Sequence, residues 1–256
     1  MSNLEIYDDV NFVERYSHRD FLYLAEKKLI ELFRLRMQEW SMLDIGVGAG
    51  RTTPYFAPLV KEYIGIDYSK NMIKKCLKKF AGRYENAKFE IVDAKNMAIF
   101  DNNCFDLCLF SHNGLDSIPC HEDRIVILKE IRRITKKGGY LFFSSHNILC
   151  LDNLFKFKFA RNPIRFLHYI NNYFKLRTHN KNWNKLKQMP YALISDGAHN
   201  FKFLLYYVHP LEQIRQLEYV GFKDVQIYLN TTGEKFMNKH FYALNKEGWL
   251  NYLCEA

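Results

Sequence analysis

The sequence predicts an α/β fold on a mostly parallel sheet, and three observations carry that prediction. Apolar strand-like runs alternate with helix-like segments through the first two thirds of the chain. The first run, Met42-Leu43-Asp44-Ile45, breaks into the glycine-cornered loop Gly46-Val47-Gly48-Ala49-Gly50. A helix start follows at once, with Thr53 as N-cap and Pro54 at the first helical position, so strand, tight loop and helix N-terminus arrive in the order a nucleotide-type ligand needs.

The elements follow in order. Apolar positions Phe21, Leu22, Leu24, Leu29, Ile30, Leu32 and Phe33 predict an amphipathic helix within an N-terminal helical cap, 1–40. Strands are expected at 41–46, 62–67, 88–93, 105–110 and 139–145. Between them one helix starts near Ser69, whose hydroxyl can cap it, and another runs from about His121 to Thr135, stopped by Lys136-Lys137-Gly138-Gly139. A last helix at 210–219 ends at Gly221, and strands at 223–229 and 239–245 complete the sheet.

The residues around the glycines restrict the ligand. A dinucleotide fingerprint wants Gly-x-Gly-x-x-Gly, and here the third-glycine position is Arg51. Asp44, two residues before Gly46, would repel a diphosphate and attract a cation such as an amino-acid ammonium. That favours S-adenosylmethionine, which has an ammonium and a sulfonium but no phosphate. The run Glu62-Tyr63-Ile64-Gly65-Ile66-Asp67 ends in an acid about twenty residues beyond the loop, where a carboxylate can accept from both ribose hydroxyls. Such charge-assisted bonds contribute roughly 1.5–3 kcal/mol each.

Four motifs in register, Asp44-x-Gly46-x-Gly48-x-Gly50, Gly65-Ile66-Asp67, Ile91-Val92-Asp93-Ala94 and Phe105-Asp106-Leu107-Cys108-Leu109-Phe110-Ser111, resemble those of class I S-adenosylmethionine-dependent methyltransferases. The resemblance runs from about Met42 to His146. It implies a Rossmann-like three-layer sandwich with a seven-stranded, mostly parallel sheet and an antiparallel C-terminal strand. Residue by residue, it implies that Asp44 and the backbone of Gly46, Gly48 and Gly50 face the methionine part and Asp67 the ribose. Tyr68 would flank the adenine, with Met72 on its other side or simply in the core. Asp93 would accept from the adenine amino group beside the Ala94 amide, and the Ser111 carbonyl would meet the ammonium.

The segment after the fourth strand, Ser111-His112-Asn113-Gly114-Leu115-Asp116, is where a base would lie, because the carboxyl ends of parallel strands face the ligand crevice. His112 is the candidate base, since its ordinary pKa suits proton transfer near neutrality, and Asp116 could orient it or contact substrate. His112 could equally pack over the cofactor or cap the next turn. His146 and His199 are further substrate-site candidates. The chemistry implied is in-line displacement on the sulfonium methyl, in which positioning supplies on the order of 7–11 kcal/mol. A base, needed for a hydroxyl nucleophile, adds roughly 10²–10⁴-fold. The Asn/Asp-Pro-Pro-Tyr/Phe turn common among nucleobase and glutamine methyltransferases is replaced here by Ser111-His112-Asn113-Gly114.

Length and composition bound the rest. The 256 residues fit one domain spanning 1–256, with the cap at 1–40 and a helical insertion at 150–208. No stretch reaches the length of a membrane span, and the N-terminus lacks the basic-then-apolar order of a signal peptide, so an intracellular, cytoplasmic protein is expected. Its six cysteines form no Cys-x-x-Cys pair and read as reduced thiols, and no metal ligand set is expected.

Residues 153–195 hold nine lysines and arginines and no acid, while the remaining twenty-eight basic residues balance twenty-eight acids, so the whole net charge of +9 resides in this stretch. It is also rich in aromatics, among them Phe155, Phe157, Phe159, Phe166 and Trp183. In the family an insertion here usually folds over the cleft as a substrate lid. A basic, aromatic lid fits a phosphorylated or nucleotide-linked sugar, a lipid-linked glycan at an anionic membrane surface, or RNA, and equally an ordinary solvated lid with a small local core. The expected function is methyl transfer to a hydroxyl of an anionic small-molecule or glycan acceptor. Methylation of RNA, and a non-catalytic S-adenosylmethionine-binding protein, are the alternatives.

Overall fold

The computed structural model describes residues 3–236 and 245–256. Five parallel strands form its centre: β1 (Ser41–Ile45), β2 (Glu62–Asp67), β3 (Ala87–Ile91), β4 (Phe105–Phe110) and β5 (Thr135–Asn147), in the order β3-β2-β1-β4-β5. The inner strands are apolar on both faces, whereas β3, at the edge, alternates Ala87, Phe89 and Ile91 with Lys88 and Glu90. In β4, Leu107 and Leu109 pack into one cluster with Met42 and Phe142, while the alternate residues Cys108 and Phe110 join Leu43, Ile45 and Phe143 in the other.

Helices cover both faces. Ahead of the sheet lie α1 (Asn3–Tyr7), α2 (Val10–Ser17) and α3 (Leu24–Met37). Between strands come α4 (Thr53–Phe56), α5 (Lys70–Phe80) and α6 (His121–Ile134). Ser69 caps α5 by accepting from the Met72 N–H, as its sequence position predicts. At α4 the N-cap is Thr52 rather than Thr53.

The sheet has nine strands among the described residues, not seven. The additional pair is the hairpin β6 (Tyr191–Ile194) and β7 (Leu205–Val208), formed by the same 150–208 stretch that also folds α7 (Leu151–Leu154), α8 (Pro163–His179) and α9 (Trp183–Leu186). After α10 (Pro210–Tyr219) the chain returns as β8 (Lys223–Leu229) and β9 (Trp249–Glu255), which are antiparallel to each other, with β9 antiparallel to β5. The strand expected at 239–245 lies, but for Asn245, outside the described residues.

Strand β5 also starts earlier than expected. Lys136-Lys137-Gly138-Gly139 belongs to the strand because its backbone finds partners at the C-terminus: Gly138 N–H donates to the Ala256 carbonyl at 3.0 Å and Ala256 N–H to the Gly139 carbonyl at 2.9 Å. At its other end β5 outruns β4. Strand β9 occupies one edge of β5 up to His146, so β7, which pairs with His146 and Asn147, takes the opposite edge, the one β4 has vacated. The β6–β7 hairpin therefore stands beyond the carboxyl end of β4, beside the ligand crevice.

Candidate active site

The carboxyl ends of β1, β2 and β4 and the loop after β3 line a cleft. Asp44, Gly46, Gly48, Asp67, Tyr68, Met72, Asp93, Ala94, Ser111 and His112 all line it. Gly50 does not. It has φ +78°, and a Cβ there would stand 2.3 Å from the Phe80 ring of α5, so this glycine permits helix packing beneath the loop.

Two carboxylates define the cleft's electrostatics. Asp44 is 1% exposed, and its Oδ2 accepts from the hydroxyls of Tyr63 at 2.6 Å and Thr52 at 2.5 Å. Asp67 accepts the Gly48 N–H on Oδ2 at 3.0 Å and the Ser69 N–H on Oδ1 at 2.9 Å, which ties the end of β2 to the glycine loop. Burial pushes both acids up to about 6. Asp93 is exposed and accepts the Lys95 N–H, and Met72 is buried in the core while still reaching the cleft.

The fourth strand ends in a tight left-handed path. His112 and Asn113 both have positive φ, 53° and 56°. Gly114 must lack a side chain, since a Cβ would lie 2.3 Å from the Phe110 ring. The path carries His112 to the cleft, where its Nε2 meets Arg19 Nη1 and its Nδ1 lies 3.3 Å from the Tyr23 hydroxyl. Arg19 only donates, so Nε2 is the accepting nitrogen of this contact. Ser111 is held from behind: its hydroxyl donates to Glu26 and accepts from Arg51 at 2.6 Å, and its carbonyl accepts the Gly114 N–H at 3.1 Å.

Asp116 and His112 are not brought together. Asp116 is fully buried, bonded to Arg124 at 2.8 Å, to the Ser145 hydroxyl at 2.8 Å, and to His146 through both its N–H at 2.6 Å and its Nδ1 at 2.8 Å. The histidine it orients is His146, whose Nε2 lies 3.2 Å from Asn113 Nδ2. The side chain of His199 lies outside the described residues.

The N-terminal helices and the segment after α2 supply cleft residues that no motif marks: Tyr7, Tyr16 and Arg19. They are anchored by Asp8, which accepts from Ser69 Oγ at 2.7 Å and Asn71 N–H at 2.9 Å at the start of α5. Tyr7 packs on Tyr68 at 6.3 Å and on Phe203 at 5.2 Å, so the cap, the cofactor cleft and the stretch leading into β7 meet at one ring. A cradle open beside Gly48, where a Cβ would meet nothing within 4 Å, with a buried acid on either side and an aromatic at Tyr68, fits the nucleoside and ammonium of S-adenosylmethionine.

A family model described as a methyltransferase domain matches residues 43–143. The Bacillus subtilis methyltransferase YcgJ is 30% identical over 112 residues, 42% of this chain and 41% of that one. Phosphoethanolamine N-methyltransferase 3 of Arabidopsis thaliana is 31% identical over 119 residues, 46% of this chain and 24% of that one. The chain spans between 21% and 53% of the length of the curated relatives it matches. A solved S-adenosylmethionine-dependent methyltransferase from Clostridium acetobutylicum superposes with a TM-score of 0.64 at 14% identity, covering 96% of this chain and 97% of that one, a likeness of fold. Residues 43–143 thus match a methyltransferase domain, and the chain shares its fold with solved S-adenosylmethionine-dependent methyltransferases.

Proposed function

We propose that the protein transfers a methyl group from S-adenosylmethionine to a hydroxyl of an anionic small-molecule or glycan acceptor. The observation that carries this reading is Arg19 standing on the Nε2 of His112 at the cleft wall, a cation and a potential base in one contact. The cofactor supplies the activated methyl. Asp44, Asp67 and the Gly46 and Gly48 backbone hold and orient it, with Tyr68, Met72, Asp93 and Ala94 about the adenine. Tyr7 and Tyr16 cover the cleft and exclude water.

An anionic group on the acceptor draws the Arg19 guanidinium to itself, and His112 Nε2 then accepts the hydroxyl proton. The Tyr23 hydroxyl, beside Nδ1, keeps the imidazole in the tautomer that leaves Nε2 as acceptor. The relative named for phosphoethanolamine supports an acceptor with an anionic group, although its name specifies nitrogen as the target. Incubation with methyl-labelled S-adenosylmethionine and fractionated cell extract tests the reading. Label in anionic metabolites or glycans is the expected result, and label confined to nuclease-sensitive material would replace it with RNA methylation.

A further inference from the structure

The 150–208 stretch shows two different faces. Inward, Leu176 of α8 is 4% exposed and shares a core with Phe155, Ile194, Tyr207 and, from the cofactor cleft, Ala49 and Met72. Outward, Ile164, Leu167 and Phe174 of the same helix are 79%, 65% and 63% exposed. At 100° per residue these three fall within one stripe, and Leu176 falls on the far side of the helix from it. The loop leading into α8 adds Phe159, 73% exposed, and Phe157, 45% exposed. The loop rings pack on Phe166 and Tyr173, along the flank of α8 beside the stripe, and exposed apolar side chains of this kind mark a contact site.

Cations border this apolar surface. Lys156, Lys158 and Arg161 interleave with the two phenylalanines, and Lys175 lies along the edge of the stripe. No acid occurs anywhere from 153 to 195, so nothing in this stretch neutralises them internally. The helix itself is well made for the position: Pro163 stands in its first turn, the Asn162 side chain accepts the Arg165 N–H at 3.0 Å, and Asn180 clamps its end to Ser195 with two 2.8 Å bonds.

We infer that this outward face, α8 with the Phe157–Phe159 loop, docks on an anionic lipid bilayer surface. The aliphatic residues decide between partners. Ile164 and Leu167 gain nothing from a phosphate backbone and offer no stacking plane to a base, whereas at a bilayer they enter the acyl boundary while the lysines and arginines meet anionic headgroups. Because the inward face shares its core with Met72 and Ala49, docking places the cofactor cleft next to the membrane.

The test is pelleting of the whole chain with vesicles of phosphatidylcholine alone and of phosphatidylcholine with phosphatidylglycerol. Binding is expected on the anionic vesicles only, and it should fall as salt rises. The triple change Ile164→Ser, Leu167→Ser, Phe174→Ser should lower the bound fraction about tenfold, and Lys156→Gln with Lys158→Gln and Arg161→Gln should lower it comparably, both with S-adenosylhomocysteine affinity retained. Leu167→Trp, a single exposed change, should show a blue-shifted emission on anionic vesicles and none on neutral ones. Equal pelleting with both vesicles, binding indifferent to the serine changes, or an unshifted tryptophan overturns the inference. Absence of vesicle binding together with tight binding to single-stranded RNA overturns it too, and assigns the cations to nucleic acid.

Discussion

The Arg51 guanidinium holds the Glu26 carboxylate with both prongs, Nη1 to Oε2 at 2.7 Å and Nη2 to Oε1 at 2.6 Å, with Arg51 9% and Glu26 1% exposed. Arg51 also donates to the Phe21 carbonyl at 2.8 Å and to Ser111, and Glu26 accepts the Tyr23 N–H at 2.9 Å. One ion pair thus joins the start of α3, the glycine loop and the end of β4. It explains the residue at the position where a dinucleotide fold has its third glycine: the loop is fixed here by charge to a covering helix.

Removing one member leaves the other charge buried and unpaired, which costs about 3–5 kcal/mol. Arg51→Ala and Glu26→Ala should each lower the unfolding free energy by that order in urea titrations. The double variant should lose less than the sum of the two. A loss below about 1 kcal/mol for Arg51→Ala would mean that water reaches the pair and that it behaves as a surface bridge.

The sequence made the strand-end wall of the cleft legible and the wall built by the N-terminal segment opaque, for a physical reason. Asp44, Gly46, Gly48 and Asp67 lie at strand ends, where the local pattern dictates both the element and its direction. Tyr7, Tyr16 and Arg19 reach the same cleft from an N-terminal segment docked by tertiary contacts such as Asp8 to Ser69 and Asn71, and nothing adjacent to them in sequence marks that destination. Asp116 finds His146 thirty residues away across β5 rather than His112 nearby, because its turn aims it into the core. Strands of four residues such as β6 and β7 carry too little periodicity to stand out from an aromatic, basic background.

If Asp44 and Asp67 face the cofactor, its binding depends on pH. Burial pushes both up to about 6, above the ordinary carboxylate range. An acid that protonates more readily in the fold than in the unfolded chain contributes a penalty that is absent below about pH 4 and grows until the folded-state value is passed, so apo-protein stability should fall between about pH 4 and 6. Accepting ribose hydroxyls and facing an ammonium require the charged forms. S-Adenosylhomocysteine affinity should therefore rise across the same window, by up to about tenfold per pH unit for each group, and level off above it. Calorimetric titration at pH 5, 6 and 7 reads this directly. Asp67→Asn should weaken binding several-fold at pH 7 and flatten the profile; an unchanged constant would mean that Asp67 does not meet the ribose.

Asp116→Asn separates a positioning role from a reactive one. Asp116 and Arg124 are both fully buried at 2.8 Å, so the change should cost about 3–5 kcal/mol of stability. At temperatures where the variant stays folded, S-adenosylhomocysteine affinity should hold within about twofold, as Asp116 is no part of the cleft wall. Thermal unfolding and binding measured side by side decide the matter. A variant of native stability with turnover lowered a hundredfold would place Asp116 at the reaction instead.

Arg19 and His112 should separate kinetically once an acceptor is known. If Arg19 takes the acceptor's anionic group, Arg19→Ala raises KM about tenfold or more with a smaller effect on kcat, Arg19→Lys recovers part of the loss, and a neutral analogue of the acceptor shows little difference between the variants. If His112 takes the hydroxyl proton, His112→Ala lowers kcat by roughly 10²–10⁴-fold while S-adenosylhomocysteine binding holds within about twofold. Retained turnover with His112→Ala would assign the residue to packing against Trp249 and Tyr23, whose rings lie 5.3 and 5.8 Å away. An acceptor amine that reacts in its neutral form, and so needs no base, would then be the chemistry that fits the cleft.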